Sequence, residues 1–350
     1  MEKTKITGPV YDARELGTPK TLVLGIQHMF AMFGSTVLVP QLTGLSVSAT
    51  LLFAGLGTLL FHLVSKRKVP AFLGSSFAFL AGYFAIAPHG EKELLPYACL
   101  AVACSSLLYF ILAGLIKAFG VKKVMKFFPP VVTGPIIVSI GLTLSQSAIN
   151  SCSTNWIIAL VAIVVIVVLN IWGRGMVKIL PILLSAIASY IVAAIIGKVD
   201  FSPVANASWI GLPVKAEDTV FAIFKNPDTS LIITSIITIM PLAIATMMEH
   251  IGDIAAISST VNRNFFDDPG LHRTLLGDGL ATLTASIFGA PANTTYGENT
   301  GVLTLSKVYD PRVIRLAACF AILFSFSPKF AALISCMPAA TVGGISIVLY

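Results

Sequence analysis

The chain has 350 residues, of which 23 are Lys or Arg and 16 are Asp or Glu, giving a formal net charge of +7. Hydrophobic residues make up 56% and charged residues only 11%, against about 25% charged residues in ordinary soluble domains. This composition excludes a soluble globular domain and indicates a multi-pass, all-α membrane protein. The positive charge requires no nucleic acid, since a cytoplasmic face beside anionic lipid accounts for it.

Residues 1–20 are polar and predict an N-terminal tail that is not a signal peptide. A helix needs about 20 residues to cross the hydrocarbon core, and apolar runs of suitable length recur along the rest of the chain. Because 18 of the 23 Lys and Arg residues fall in one set of alternate connections, the positive-inside rule places the N-terminus in the cytoplasm. The pattern predicts twelve segments, near 21–40, 48–65, 69–88, 97–119, 127–149, 156–172, 178–197, 231–257, 274–290, 291–306, 312–329 and from 338.

The third segment contains the stretch "VPAFLGSSFAFLAGY", which Pro70, Gly74, Ser75 and Ser76 interrupt. Such a sequence does not predict a continuous helix facing lipid. Irregular backbone at membrane depth is tolerated only where it is buried in protein or lines a cavity. We therefore expect this segment to lie inside the protein.

The run 231–257 contains "MEHIGD", where Glu249 and Asp253 are four residues apart and hence on one face of a helix. This face is expected to point into the protein, and His250 to serve a neighbouring segment or its own helix. An alternative is that "MEHIGD" marks the cytoplasmic end of its helix, although apolar sequence continues to Val261.

Acidic residues in a membrane context are costly, by roughly 2.5–3.5 kcal/mol or more, and usually functional. Only Glu249, Asp253 and Glu298 are assigned to such a context. The other thirteen acids, including Asp278, are assigned to the tail, to loops or to segment edges.

The stretch "FGAPANTTYGENTGVLTLS" repeats the interrupted pattern in the second half and contains Glu298. A half-helix beginning near Gly297 would direct its free N–H groups into a cavity. An ordinary extracellular loop is the alternative. Each interrupted segment is the third of its series, and such pairs indicate an inverted-repeat transporter with its site at the midplane.

Five motifs, "QHMFAMFGSTVLVP", "VPAFLGSSFAF", "MEHIGD", "DPGLHR" and "NTTYGENTGV", together resemble the nucleobase–ascorbate transporter family, and within it the bacterial uracil permeases. The resemblance implies a seven-plus-seven inverted repeat with core and gate domains, and short extended stretches in the third and tenth segments. Twelve of the fourteen implied segments are recognised, so we expect the natural chain to continue past residue 350. The implied divisions are a tail at 1–20, core at 21–119, gate at 120–200, an extracellular loop at 201–229, core at 230–330 and the start of the second gate half at 331–350.

Uracil presents N–H donors beside carbonyl acceptors, and a protonated carboxyl matches such an edge with one donor and one acceptor. The resemblance implies that Glu249 and Glu298 bond the edges of the base and that Tyr296 and Gly297 shape the pocket. It further implies that Phe77 offers its backbone N–H and a ring face, and that Tyr350 lies nearby. The residues assigned to proton coupling are His28, Glu249, Asp253 and Glu298, although a structural role for a buried His28 is the alternative.

The implied function is proton-coupled import of uracil across the bacterial cytoplasmic membrane, with no cofactor, no metal site and a proton rather than sodium as coupling ion. Two alternatives stay open, a purine or xanthine permease of the same family and an anion transporter or channel of the same fold. The sequence departs from the family in two places. The family's uracil carriers often have histidine where Asp253 stands, although acidic residues are also found there, and the family signature usually ends in Thr-Arg where this chain has Ser306 and Lys307. The chain contains no "HExxH", "GxSxG" or phosphate-loop motif, so an enzyme is not indicated. Its oligomeric state, a homodimer included, is left open.

Overall fold

The computed structural model describes residues 8–124, 126 and 130–349. Helices dominate this part of the chain, and two short strands interrupt them. In the first part of the chain the helices are α1 (Thr18–Thr43), α2 (Val47–Val64), α3 (Leu80–Ile86), α4 (Leu95–Phe119), α5 (Val121–Val124), α6 (Pro130–Ser153), α7 (Trp156–Trp172), α8 (Met176–Ile179), α9 (Pro181–Ile195) and α10 (Ser202–Asn206). They continue as α11 (Thr229–Ile239), α12 (Ala243–Val261), α13 (Leu271–Ile287), α14 (Gly297–Ser306), α15 (Pro311–Ser325), α16 (Pro328–Ser335) and α17 (Ala339–Leu349). The strands are β1 (Leu73–Ser75) and β2 (Asn293–Thr295), and short helical turns cover Ala13–Leu16, Ala216–Asp218, Val220–Lys225, Met240–Leu242 and Phe266–Gly270.

Several helices have the length and composition to cross a membrane. Within the described residues, four satisfy both criteria: α1, α2, α4 and the joined α11–α12 run, Thr229–Val261. The pair α15 and α16 adds a fifth if the two are one span bent by 88°. These helices and their apolar faces make the chain a multi-pass membrane protein.

The predicted segments match the helices unevenly. The segment 156–172 coincides with α7, whereas 178–197 divides into α8 and α9 because Pro181 begins a new helix. The segment predicted near 274–290 corresponds to α13, which begins at Leu271. Asp278 is consequently not at a segment edge: it lies within α13 and is fully buried.

The two interrupted stretches cross each other as an antiparallel strand pair. Strand β1 pairs with β2 in the register Leu73↔Thr295, Gly74↔Thr294 and Ser75↔Asn293, and every strand residue is buried. Side chains from the flanking helices bond the outer strand edges: Thr58 of α2 accepts from Leu73 N at 2.9 Å, and Thr282 of α13 donates to Asn293 O at 2.7 Å. Side-chain partners thus satisfy backbone groups that lipid cannot satisfy.

Glycine at position 74 follows from the tightness of this crossing. A Cβ on Gly74 would lie 2.5 Å from Cε2 of Tyr296 and 2.6 Å from Oγ1 of Thr36. Any side chain here would displace both neighbours, so the crossing requires the smallest residue.

The helices pack in two groups. Helices α1, α2, α4, α13 and α15 surround the strand crossing, while α6, α7, α9 and α17 pack on one another. Small residues allow the close approaches in both groups: a Cβ on Gly55 would lie 2.6 Å from Ala318 O, and one on Gly344 would lie 2.5 Å from Ala159 O. Such close backbone contact is the usual basis of helix association in membranes.

Candidate substrate site

Helix α12 brings Glu249 and Asp253 past the strand crossing. The helix continues to Val261, so the alternative in which "MEHIGD" marks a helix end is wrong. Glu249 is exposed, whereas the neighbouring residues Met248 and His250 are buried. Glu249 therefore projects from the open face of α12, and Asp253 follows one turn later, partly buried.

The Asp253 carboxyl lies at the junction between β2 and α14. Its Oδ2 accepts a hydrogen bond of 2.8 Å from the Thr295 hydroxyl. Its Oδ1 is 3.7 Å from the position that a Cβ on Gly297 would occupy. Helix α14 begins at Gly297, as predicted, and its N-terminus receives no side-chain cap from Tyr296 in the described structure. The positive end of this helix is thus next to a carboxyl group.

Glu298 follows in the first turn of α14 and contacts α1. Its Oε1 accepts a hydrogen bond of 2.6 Å from the hydroxyl of Ser35, which is fully buried. Glu298 also lines an open cleft of about 440 Å³ between α1, α9 and α14, and Lys178 lines the same cleft. Glu298 is thus open to this cleft.

Tyr296 lies behind the site rather than open to it. Only 4% of its surface is exposed; its hydroxyl donates to Ser75 O at 2.8 Å, and its N–H donates to Phe72 O at 3.0 Å. The residue joins the two interrupted stretches, so any effect of Tyr296 on pocket shape is exerted through the strand crossing.

Phe77 follows β1 and is half-buried. It packs against apolar clusters whose members include Leu38 of α1, Leu144 of α6 and Ile345 of α17. Its side chain thus lies between the two helix groups. Tyr350, the remaining predicted site residue, lies outside the described residues.

His28 contacts Asn299, the residue that follows Glu298 in α14. It is fully buried on α1, and the Nδ2 of Asn299 lies 3.2 Å from its Nδ1 and donates to its backbone oxygen at 3.1 Å. His28 and Ser35 are seven residues apart on α1, so two turns of one helix face hold adjacent residues of α14.

A buried pair that the sequence analysis did not assign lies behind Asp253. Nδ1 of His250 is 3.5 Å from Oδ2 of Asp278, and both side chains are completely buried. The Thr295 hydroxyl, which donates to Asp253, lies 3.4 Å from the same His250 nitrogen. This polar chain joins α12, β2 and α13.

The apolar residues on both sides of Asp278, in "TLLGDGLATL", were the available signal for its burial. The two glycines in this stretch bring α13 close to its neighbours: a Cβ on Gly277 would lie 3.2 Å from the Cα of Phe61, and one on Gly279 would lie 2.6 Å from the Cβ of Tyr109. Ser35, Thr295 and Asn299 gave no comparable signal, since hydroxyl and amide residues are common in membrane helices.

A family model described as Permease family matches residues 19–350. Together with the motifs at the site, this match confirms the resemblance. The chain belongs to the nucleobase–ascorbate transporter family. A uracil permease of Bacillus caldolyticus is 40% identical over 98% of this chain and 80% of that protein. A uracil permease of Bacillus subtilis (strain 168) is 38% identical over 100% of this chain and 81% of that protein. Membership of this family makes the chain a membrane permease and not an enzyme.

Solved structures share the fold of this nucleobase–ascorbate transporter. The transmembrane domain of the cyanobacterial bicarbonate transporter BicA superposes with a TM-score of 0.71 at 14% identity, covering 97% of this chain and 89% of that one. SLC26A9 superposes with a TM-score of 0.68 at 12% identity, covering 97% and 58% of the two chains. At such identities the likeness concerns the fold alone.

Proposed function

We propose that the chain imports uracil across a bacterial cytoplasmic membrane by proton symport. The uracil permeases at 38–40% identity support the substrate. The observation that carries the site assignment is the meeting of α12 and α14, where Asp253 lies next to Gly297 and Glu298 follows in the first turn of α14. Carboxyl groups at an uncapped helix N-terminus inside a membrane protein are expected to serve a ligand or an ion.

The chemistry of the base explains the use of carboxyl groups. A protonated carboxyl offers one donor and one acceptor side by side, which matches an edge of uracil with two hydrogen bonds, whereas an ionised carboxylate offers acceptors only. Glu249 and Glu298 are the proposed partners for the base edges. Phe77, at the end of β1, supplies the proposed backbone donor and ring face. Binding of the base and binding of a proton are then linked.

The proton-handling residues are proposed to be His28, Glu249, Asp253 and Glu298. The Ser35 hydroxyl donates to Oε1 of Glu298, and Oε2 is the oxygen that we propose carries the proton. Release of the base into the cytoplasm frees the carboxyl to release its proton in the same step.

Movement of the base across the membrane is proposed to follow from motion between core and gate domains of a seven-plus-seven inverted repeat. The two helix groups, one around the strand crossing and one formed by α6, α7, α9 and α17, support this division. The cleft shared by Glu298 and Lys178 is the proposed cytoplasmic exit, with the N-terminus on the same side. Phe77 packs between the two groups, so its contacts change when the groups move apart.

An anion substrate is the competing reading, because BicA, a bicarbonate transporter, has the same fold. Carboxyl groups at the helix N-terminus argue against an anion, since an ionised carboxylate repels it and an anion site uses bare amides or cationic side chains. A purine or xanthine permease of the same family would differ from a uracil permease in the shape of the pocket. Competition between xanthine and uracil for uptake distinguishes the two.

The test is uptake of radiolabelled uracil into proteoliposomes with an imposed proton or sodium gradient. We expect accumulation driven by an inward proton gradient and competed by excess unlabelled uracil. Uptake that ignores both gradients would reject symport, and uptake that follows sodium alone would reject proton coupling. Stronger competition by xanthine than by uracil would select the purine alternative, and transport of bicarbonate without uracil would select the anion alternative.

A further inference from the structure

The N-terminal segment Val10–Leu16 lies against the ends of the helices that carry the site. Val10 N donates to Lys307 O at 2.8 Å, and Tyr309 N donates to Val10 O at 2.8 Å. Val10 thus forms a parallel bridge with Val308, in the turn that follows α14.

This segment is attached by side chains as well as by backbone. Val10 and Ala13 are buried against Val308 and Val313. The N–H of Ala13 donates to Oδ2 of Asp310 at 2.7 Å. The segment is therefore part of the packed structure and not a free tail.

The Tyr11 side chain reaches the other helix. Its hydroxyl donates to the backbone oxygen of Val261 at 2.9 Å, and Val261 is the last residue of α12. The Arg263 guanidinium lies 4.5 Å from the centre of the Tyr11 ring, and the Tyr309 ring packs edge-on at 5.5 Å. The hydroxyl thus occupies a carbonyl that the helix itself leaves unpaired, and the ring joins the residues that follow α12 to those that follow α14.

We propose that Tyr11 is a positioning residue for the candidate site, because it connects the C-terminal end of α12 to the turn after α14. Helix α12 carries Glu249 and Asp253, and α14 carries Glu298. Val261 is eight residues beyond Asp253 and Lys307 is nine beyond Glu298. Val261 therefore lies about 12 Å along α12 from Asp253, and Lys307 lies about 14 Å along α14 from Glu298. A helix segment of this length moves as a unit, so the spacing between the helix ends sets the spacing between the carboxyl groups.

The proposal is tested with Tyr11→Phe, which removes the hydroxyl and keeps the ring, and with Tyr11→Ala, which removes both. Asp12→Asn is the matched control: Oδ1 of Asp12 accepts from Arg312 of α15 at 3.0 Å, so this tie involves neither α12 nor α14. Spin labels on Ser259→Cys and Leu305→Cys, in a chain without its five native cysteines, report the distance between the ends of α12 and α14. Both labelled positions are exposed.

We expect a wider distance distribution in Tyr11→Phe and a still wider one in Tyr11→Ala, with Asp12→Asn unchanged. On the proposed function, calorimetry should show that Tyr11→Phe raises the Kd for uracil about 2- to 10-fold, the effect of one lost hydrogen bond. An unchanged distance in Tyr11→Phe overturns the inference. A changed distance with an unchanged Kd for uracil also overturns it. A lower unfolding temperature with an unchanged distance and an unchanged Kd does so too, because each of these results leaves Tyr11 with a structural role only.

The distance measurement needs no ligand, which separates the inference from the proposed function. A parent chain that binds no uracil would reject the proposed function alone. The tie between α12 and α14 would still be decided by the labels.

Discussion

Replacing Glu249 with glutamine separates hydrogen bonding from proton transfer at the site. Glutamine keeps one donor and one acceptor, so Glu249→Gln should retain binding of uracil within about 1 kcal/mol, or roughly fivefold in Kd. Glu249→Ala leaves two polar groups of the base without partners, at about 1–3 kcal/mol each. Binding should then weaken by at least about 30-fold.

The assay pairs calorimetry across pH with uptake in proteoliposomes. Glu249→Gln should bind uracil with no dependence on pH and should equilibrate the base without concentrating it. The matched control is Glu217→Gln, which removes a carboxylate that is 70% exposed in the segment before α11 and should leave binding and accumulation unchanged. Accumulation of uracil against a gradient by Glu249→Gln would refute the assignment of Glu249 as the coupling acid and would transfer that role to Asp253 or Glu298.

Two further predictions concern the support of the site, and a third concerns the N-terminal segment. Ser35→Ala removes the 2.6 Å hydrogen bond to Glu298 and should weaken uracil binding, measured by calorimetry, about 2- to 10-fold. The control Ser145→Ala, which loses a hydrogen bond within its own helix, should bind uracil as the parent chain does. Equal affinities of Ser35→Ala and the parent chain would show that Ser35 does not orient Glu298. Gly74→Ala places a Cβ 2.5 Å from the Tyr296 ring and should lower the free energy of unfolding by about 1–3 kcal/mol, measured by thermal unfolding in detergent, with unchanged stability contradicting the tight crossing. Hydrogen bonds from Arg14 lower the pKa of Asp12 to about 2, below the unfolded value of about 3.9. The stability that Asp12→Asn loses should therefore be present above pH 4 and should disappear as the pH falls toward 2. A difference in stability between the parent chain and Asp12→Asn that grows on acidification would contradict this sign.

The two interrupted stretches show how much of the site can be predicted from local sequence. Proline, glycine and serine at membrane depth exclude a continuous lipid-facing helix, because unpaired backbone groups there are too costly. The strands β1 and β2 lie within the stretches that this reasoning selected, and α14 begins at Gly297 as expected. The four-residue spacing likewise predicted that Glu249 and Asp253 share one helix, which α12 confirms.

Asp278 shows where the same reasoning fails. A segment boundary estimated from hydropathy carries an error of a few residues, so hydropathy alone did not distinguish the buried position of Asp278 within α13 from a position at a segment edge. Hydropathy also treats each segment alone. It cannot report that Gly277 and Gly279 bring α2 and α4 close to α13, which is what excludes water from Asp278.

Composition, periodicity and motif order by themselves determined that the chain crosses a membrane, that it belongs to a permease family and that two stretches are irregular, because these properties depend on residues near one another in the chain. Only the tertiary structure decided which atoms meet. The partners Ser35 and Glu298 are 263 residues apart and Tyr11 and Val261 are 250 apart. No local pattern encodes such pairs, since close packing of whole helices brings them together.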